Sequence, residues 1–218
     1  YQDKSLSGAW LRYIEKAIDL LDKPFNRNIT LLPNTEHLHG DDRIRYLKQL
    51  IESRPQFLAF DYETNCIRPQ LSESKIHAVG FACDEEIGKA MLFDSSLIPY
   101  LRKIFKDKRI GKIASNMKFE DVWTRLKIGC PVVNWAHDTM LCAHVENNRE
   151  RYSGLKTQVF LQYGIPDYAE EADRYLKTHG PNAYNRIHEM KPSALLEYNA
   201  LDAVFEYRIA MRQMEMIS

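Results

Sequence analysis

The sequence has no excess of either charge sign. Lys plus Arg and Asp plus Glu number 30 each among 218 residues. No global basic field announces nucleic acid, so any such partner must be held by a local patch. No apolar run approaches the roughly 18 residues that a membrane-spanning helix needs, which excludes one. The four cysteines (Cys66, Cys83, Cys130 and Cys142) show neither C-x-x-C spacing nor flanking histidines in zinc order. They read as free thiols in a reducing cytoplasm, or in a host's cytoplasm for a phage chain. No H-E-x-x-H is present, so zinc hydrolysis has nothing to stand on. No internal repeat, low-complexity tract or signal-peptide pattern occurs, and the first residue, Tyr1, suggests a fragment of a longer chain.

What is present is an ordinary globular composition, 44% apolar with mixed charge. "SGAWLRYIEKAIDLLDKPF" places Leu11, Ile14, Ala17, Ile18 and Leu21 at the spacing of an amphipathic helix, ended by Pro24. Residues 26–40, with Pro33 and Gly40, read as an irregular connector, and "DDRIRYLKQLIESR" as a second helix with an acidic start. Residues 1–35 are therefore expected to form a helical extension, and residues 36–218 the compact domain. Strands are expected over 57–63, 76–83 and 89–93, joined by short polar loops as in an antiparallel meander. Helix and strand then alternate: helix 96–105, strand 110–115, helix 119–126, strand 132–135, and helices 138–145 and 155–163. The polar stretch 167–191 reads as a partly ordered loop, and a long helix begins near Pro192, a good first helical residue. A meander followed by alternation gives an α/β domain with a mixed sheet of three antiparallel and two further strands, flanked by helices.

Carboxylates recur where buried elements are expected. "FLAFDYETN" runs four apolar residues into Asp61 and then Glu63, two acids on one face of one strand. In "PSALLEYNALDAVFEYRIAMRQM", Leu195, Tyr198, Asp202, Phe205 and Ile209 fall in a helical stripe roughly 80° wide. Asp202 is thus expected on the face that packs on the sheet, with Tyr198 one turn earlier, and an Asp–Tyr hydrogen bond alone would account for the pair. In "GKIASNMKFEDVWTRLKIG", Glu120 stands about 110° from the centre of the expected buried face, and Asp121 about 150° on the opposite flank. A solvated acidic pair in a first helical turn would also fit there. Asp138, opening a helix as D-T-M, reads as an N-cap. Acids at a strand end, a strand–helix junction and a terminal helix together suit hard divalent cations, and two such ions serve in-line phosphoryl displacement.

Here the chain resembles a known family. "FDYET" is similar to a D-x-E motif, "SNMKFED" to N-x-K-[FY]-D and "YNALD" to Y-x-x-x-D. These are the three signatures of DEDD-type 3′–5′ exonucleases of the Tyr-containing branch. "HDTMLCAHVENN" and "GLKTQVFLQYG" resemble segments of the proofreading domains of family A DNA polymerases. The resemblance spans about residues 36–217. It implies an RNase H-like sheet, with Asp61, Glu63, Glu120 and Asp202 holding two Mg²⁺ or Mn²⁺ ions and Tyr198 orienting the attacking water. The second motif departs from the pattern: Glu120 stands where the family has Asp, and Asp121, one place later, is the alternative. Thr64, Asn116 and Lys118, beside the motif acids, are candidate substrate contacts, and Lys112, Arg125 and Lys127 could approach a phosphate backbone. The implied substrate is a single-stranded or frayed DNA 3′ end, possibly with a polymerase domain or partner. The rivals are an RNase D-like exoribonuclease and a nuclease-fold binding module without catalysis.

Overall fold

The computed structural model describes residues 32–166, 168–178, 180 and 182–217. The helix expected before Pro24 lies outside the described residues. Within them a six-stranded mixed sheet has the order β1-β4-β3-β2-β5-β6. Its strands are β1 (Asn34–Leu38), β2 (Phe57–Thr64), β3 (Ile76–Ala82), β4 (Ile87–Leu92), β5 (Gly111–Ala114) and β6 (Trp135–Asp138). The expected meander is there: β2 pairs antiparallel with β3, and β3 with β4. β5 runs parallel to β2, and β6 parallel to β5.

The helices are α1 (Asp41–Ser53), α2 (Ile98–Lys106), α3 (Met117–Trp123), α4 (Thr139–Glu146), α5 (Leu155–Tyr163), α6 (Glu170–Leu176) and α7 (Pro192–Ile217). Asp138 caps α4 as expected, accepting from Met140 N and Leu141 N, each at 3.0 Å. The same carboxylate also accepts from Asn116 N at 3.0 Å and Met117 N at 2.9 Å. One side chain therefore satisfies orphan donors at two helix starts.

Several expectations need correction. The expected connector contains a sixth strand, β1, which pairs parallel with β4. Its sequence NTEHL buries only Leu38, so the strand owes its existence to its partner rather than to its own pattern. β6 lies later than expected because Val132 N bonds the Asp121 carboxylate and Val133 N bonds the Phe105 carbonyl, leaving those residues outside the ladder. The stretch read as a loop holds α6. Lys112 is no surface cation: it is fully buried, and its ammonium donates to the carbonyls of Asp107 and Ile110.

The two faces of the sheet bury different side chains. On one, Leu58, Phe60, Tyr62, Val79, Phe81 and Met91 meet α1, α2 and α3 in one large cluster. On the other, Ala59, Ala78, Ala82 and Ala90 meet α7. Gly80 and Gly88 lie under α7 as well. A Cβ on Gly80 would come 2.5 Å from the carbonyl oxygen of Asn199, and one on Gly88 would run into that of Ala200. Glycine is needed at both for close backbone approach.

Candidate active site

β2 carries Asp61 and Glu63 on the α7 face, opposite Gly80 and Ala78 of β3. Because those partners are so small, α7 lies close enough to bring Asp202 to the same place. Ligand oxygens of Asp61, Glu63 and Asp202 all lie within 4.8 Å of one another. Asn199, one turn before Ala203 on α7, donates to the Asp61 carboxylate at 2.7 Å and to its carbonyl oxygen at 3.2 Å, pinning helix to strand.

The face of α7 differs from expectation. Ala200, Ala203 and Ala210 lie on the sheet, whereas Phe205 and Ile209 pack against Val159 and Ile165. Asp202 sits at the border of these two faces. The Asp–Tyr bond exists with a different partner: Tyr168, from the stretch expected to be irregular, donates to Asp202 Oδ1 at 2.6 Å. Tyr198 instead receives a hydrogen bond from the Lys156 ammonium at 2.7 Å, and that ammonium also pairs with Asp202 Oδ2.

The α3 helix also differs. Leu126, expected in its buried stripe, is 56% exposed, while Glu120 is only 2% exposed. The inward side runs through Glu120, Trp123 and Thr124. Asp121 points elsewhere, accepting from Val132 N at 3.0 Å and from Arg125. It holds the chain ahead of β6, a structural role rather than a solvated one. Glu120 lies behind the acid cluster, and its Oε2 is buried with no hydrogen-bond partner. Glu206, one turn past Asp202 and 1% exposed, has the same kind of orphaned Oε2.

The electrostatics follow from this crowding. Burial, then the neighbouring Asp202 charge, pushes the Asp61 carboxyl up to about 7. Burial followed by Asp61 and Asp202 raises Glu63 well above the carboxylate range. Burial with Asp61 and Glu63 does the same to Glu120. Glu206 is raised by burial and by Asp61, Glu120 and Asp202. For Lys156, burial alone would lower the pKa, but Asp202, Asp61 and Glu63 outweigh it and the group is held charged. Acids concentrated this way at a cleft make a candidate functional site and call for positive charge. Three convergent hard oxygen donors, with unpartnered buried oxygens on the coupled Glu120 and Glu206, fit a divalent cation.

The acids open into a cleft of about 220 Å³ whose wall includes Thr64, Phe119 and Tyr198. Thr64 thus stands beside the acids, donating its hydroxyl to the Cys66 carbonyl at 2.8 Å. Asn116 and Lys118 do not line this cleft. Asn116 takes a left-handed turn (φ 72°) before α3, and Lys118 is exposed. The residues that sequence reasoning missed are Lys156, Tyr168, Asn199 and Glu206. Glu206 was within reach of the helical wheel, four places after Asp202; Tyr168 and Lys156 had no such signal.

No protein-family model matches this chain, and no curated protein does. Solved structures do share its fold. Brucella melitensis NrnC is 17% identical with a TM-score of 0.60, over 84% of this chain and 79% of that one. The catalytic core of RRP6 from Trypanosoma brucei is 12% identical with a TM-score of 0.63, over 85% and 47%. Escherichia coli RNase D, an exoribonuclease involved in structured RNA processing, is 16% identical with a TM-score of 0.61, over 84% and 44%. This chain therefore spans less than half of the last two. NrnC is known with bound Mg²⁺ and with pGG, and Trypanosoma brucei RNase D in complex with RNA U12. What they share with this chain is the fold, an RNase H-like mixed α/β sheet with flanking helices.

Proposed function

We propose that this protein is a metal-dependent 3′–5′ exonuclease that shortens single-stranded nucleic acid from its 3′ end, releasing nucleoside monophosphates. The observation that carries this reading is the convergence of Asp61, Glu63 and Asp202 within 4.8 Å beside Tyr198 in an open cleft. In this reading Asp61, Glu63 and Asp202 hold Mg²⁺ or Mn²⁺, and Glu120, electrostatically coupled to Asp61 and Glu63, completes the acid set. Divalent ions held there would supply Lewis acidity for in-line displacement at phosphorus. Tyr198 orients the attacking water, whose oxygen joins phosphorus as the P–O3′ bond breaks and the departing 3′ oxygen takes a proton. The Thr64 and Phe119 wall receives the terminal nucleotide.

The motifs suggest DNA, as in proofreading. The RNase D-like alternative is at least as well supported, since the fold neighbours include structures holding pGG and RNA. A polymerase partner has no support among these neighbours. The reading as an inert binding module rested on Glu120, and the burial of Glu120 among the acids favours catalysis instead. The test is incubation of 3′- and 5′-labelled RNA and DNA oligonucleotides with Mg²⁺, Mn²⁺ or EDTA. Stepwise loss from the 3′ end, abolished by EDTA and by Asp61→Asn or Asp202→Asn, is expected. Retained cleavage in either variant would overturn the assignment, and the ratio of RNA to DNA rates chooses the substrate.

A further inference from the structure

Lys156 lies in the first turn of α5, and its ammonium reaches the middle of the α7 site. It donates to Tyr198 Oη at 2.7 Å and to Asp202 Oδ2. It also lies 4.4 Å from the centroid of the Tyr198 ring and 5.2 Å from that of Tyr168. Two aromatic faces, a phenol oxygen and a carboxylate oxygen thus hold one cation, a combination that limits where its protons can point.

The hydrogen-bond roles can be worked out from valence alone. An ammonium has donors and no acceptor, so Tyr198 must accept from Lys156 through an oxygen lone pair. The single Tyr198 proton is left to point away from Lys156. Asp202, one turn along the same helix, already takes a proton on each oxygen, from Tyr168 at Oδ1 and from Lys156 at Oδ2. Tyr198 bonds Lys156 in place of Asp202, and it lines the cleft together with Asp61 and Glu63, the side its proton can face. Without Lys156, the phenol one turn from Asp202 would have an ionised acceptor within reach on its own helix.

We propose that Lys156 is a positioning residue of this site, turning the Tyr198 hydroxyl proton toward the cleft and holding Asp202 in place of a metal ion. The inference rests on the exonuclease reading for its catalytic half. Tyr198 acts as a hydrogen-bond donor, to the attacking water or to a phosphate oxygen, and Lys156 sets that polarity. The metal half concerns competition. A divalent ion held through Oδ2 would compete with the ammonium for that oxygen, while the bond to Tyr198 could persist because an ammonium has three protons.

The test combines a double-mutant cycle with a metal titration. Lys156→Met keeps the length and removes the charge. In the full chain it should lower kcat by about 10²-fold, the scale of a misplaced catalytic group, with little change in KM. In a Tyr198→Phe background the same substitution should add almost nothing, because the hydroxyl it positions is gone. Lys156→Arg, which restores donors and charge, should recover part of the rate. Calorimetric titration with Mg²⁺ alone should show Lys156→Met binding the ion several-fold more tightly than the wild-type chain. Equal losses in both backgrounds would mean that Lys156 only supports the fold, and Mg²⁺ binding unchanged or weakened would remove the competition; either result overturns the proposal. If the wild-type chain degrades no oligonucleotide, the exonuclease reading and the catalytic half fall together. The titration then still judges Lys156 on its hold of Asp202, so the two failures are distinguishable.

Discussion

The two faces of the sheet solve opposite problems. The face toward α1, α2 and α3 is filled by large rings: Phe60 lies 4.6 Å from Phe105 and 5.6 Å from Trp135, centroid to centroid. That face supplies apolar burial and little chemistry. The α7 face is built of alanine and glycine, so a helix backbone presses on the strands and three acids meet. Alternation along β2 sends Phe60 and Tyr62 one way, and Asp61 and Glu63 the other. One strand therefore serves stability with one set of residues and the proposed metal site with the other.

The largest expected effect on stability comes from the ring-filled face. Phe105→Ala should cost roughly 3–5 kcal/mol through the cavity it leaves, read as a lowered urea midpoint. Mg²⁺ binding by the folded fraction should be unchanged, because Asp61, Glu63 and Asp202 stand on the other side. Loss of Mg²⁺ binding in that variant would break the division of labour.

Gly88→Ala comes next. Its Cβ meets backbone rather than a movable side chain, so α7 must shift, at about 1–3 kcal/mol for an overpacked contact. Although milder for stability than the ring deletion, it should weaken Mg²⁺ binding and nucleotide release. Unaltered metal affinity would show that close approach of α7 is not what assembles the site.

A further effect, carried by charge and not by packing, should appear with pH. In the folded chain Asp61 titrates at about 7, against an ordinary value of 3.8, so between those values the folded state holds a proton that the unfolded state has released. Stability without metal is then lost as pH rises through that window. Glu63, raised for the same reasons, acts in the same sense. Thermal unfolding in EDTA should show Tm falling from about pH 4 to pH 7, and Mg²⁺ should oppose the fall. A rising Tm over this range in EDTA would contradict the crowding of the acids.

The least effect is expected at Asp121. Asp121→Asn keeps an acceptor for Val132 N and loses only the ion pair with the half-exposed Arg125, worth about 0.2–1 kcal/mol. Its cleavage rate should be near wild type, whereas Glu120→Gln should slow cleavage severely. The reverse outcome in parallel single-turnover assays would move the second-motif acid to Asp121.

Much of this was legible in the chain. The meander, α5 and the start of α7 followed from spacing, and the positions of Asp61, Glu63, Tyr198 and Asp202 followed from motif order. What escaped depended on partners distant in sequence. β1 has almost no apolar pattern and forms by pairing with β4. Lys156 is polar in a short helix that buries Gln158 as well as Val159, so no stripe marked its direction. Tyr168 lay among polar residues whose local composition suggests a loop. The α3 wheel misplaced its centre because Val122 and Leu126 are apolar yet exposed, and a buried acid took the inward position.

The bond from Asn199 to Asp61 joins residues 138 positions apart in sequence. Contacts of such separation form late, since a long loop must close before they reward the chain. The strand bearing Asp61 and Glu63 can pair locally with β3, but the third carboxylate arrives only when α7 docks. A partly folded or growing chain therefore lacks the complete acid cluster, and the proposed chemistry would be withheld until the tertiary structure is in place. In stopped-flow refolding, the capacity to bind Mg²⁺ should emerge with the slowest phase, after most strand signal has returned.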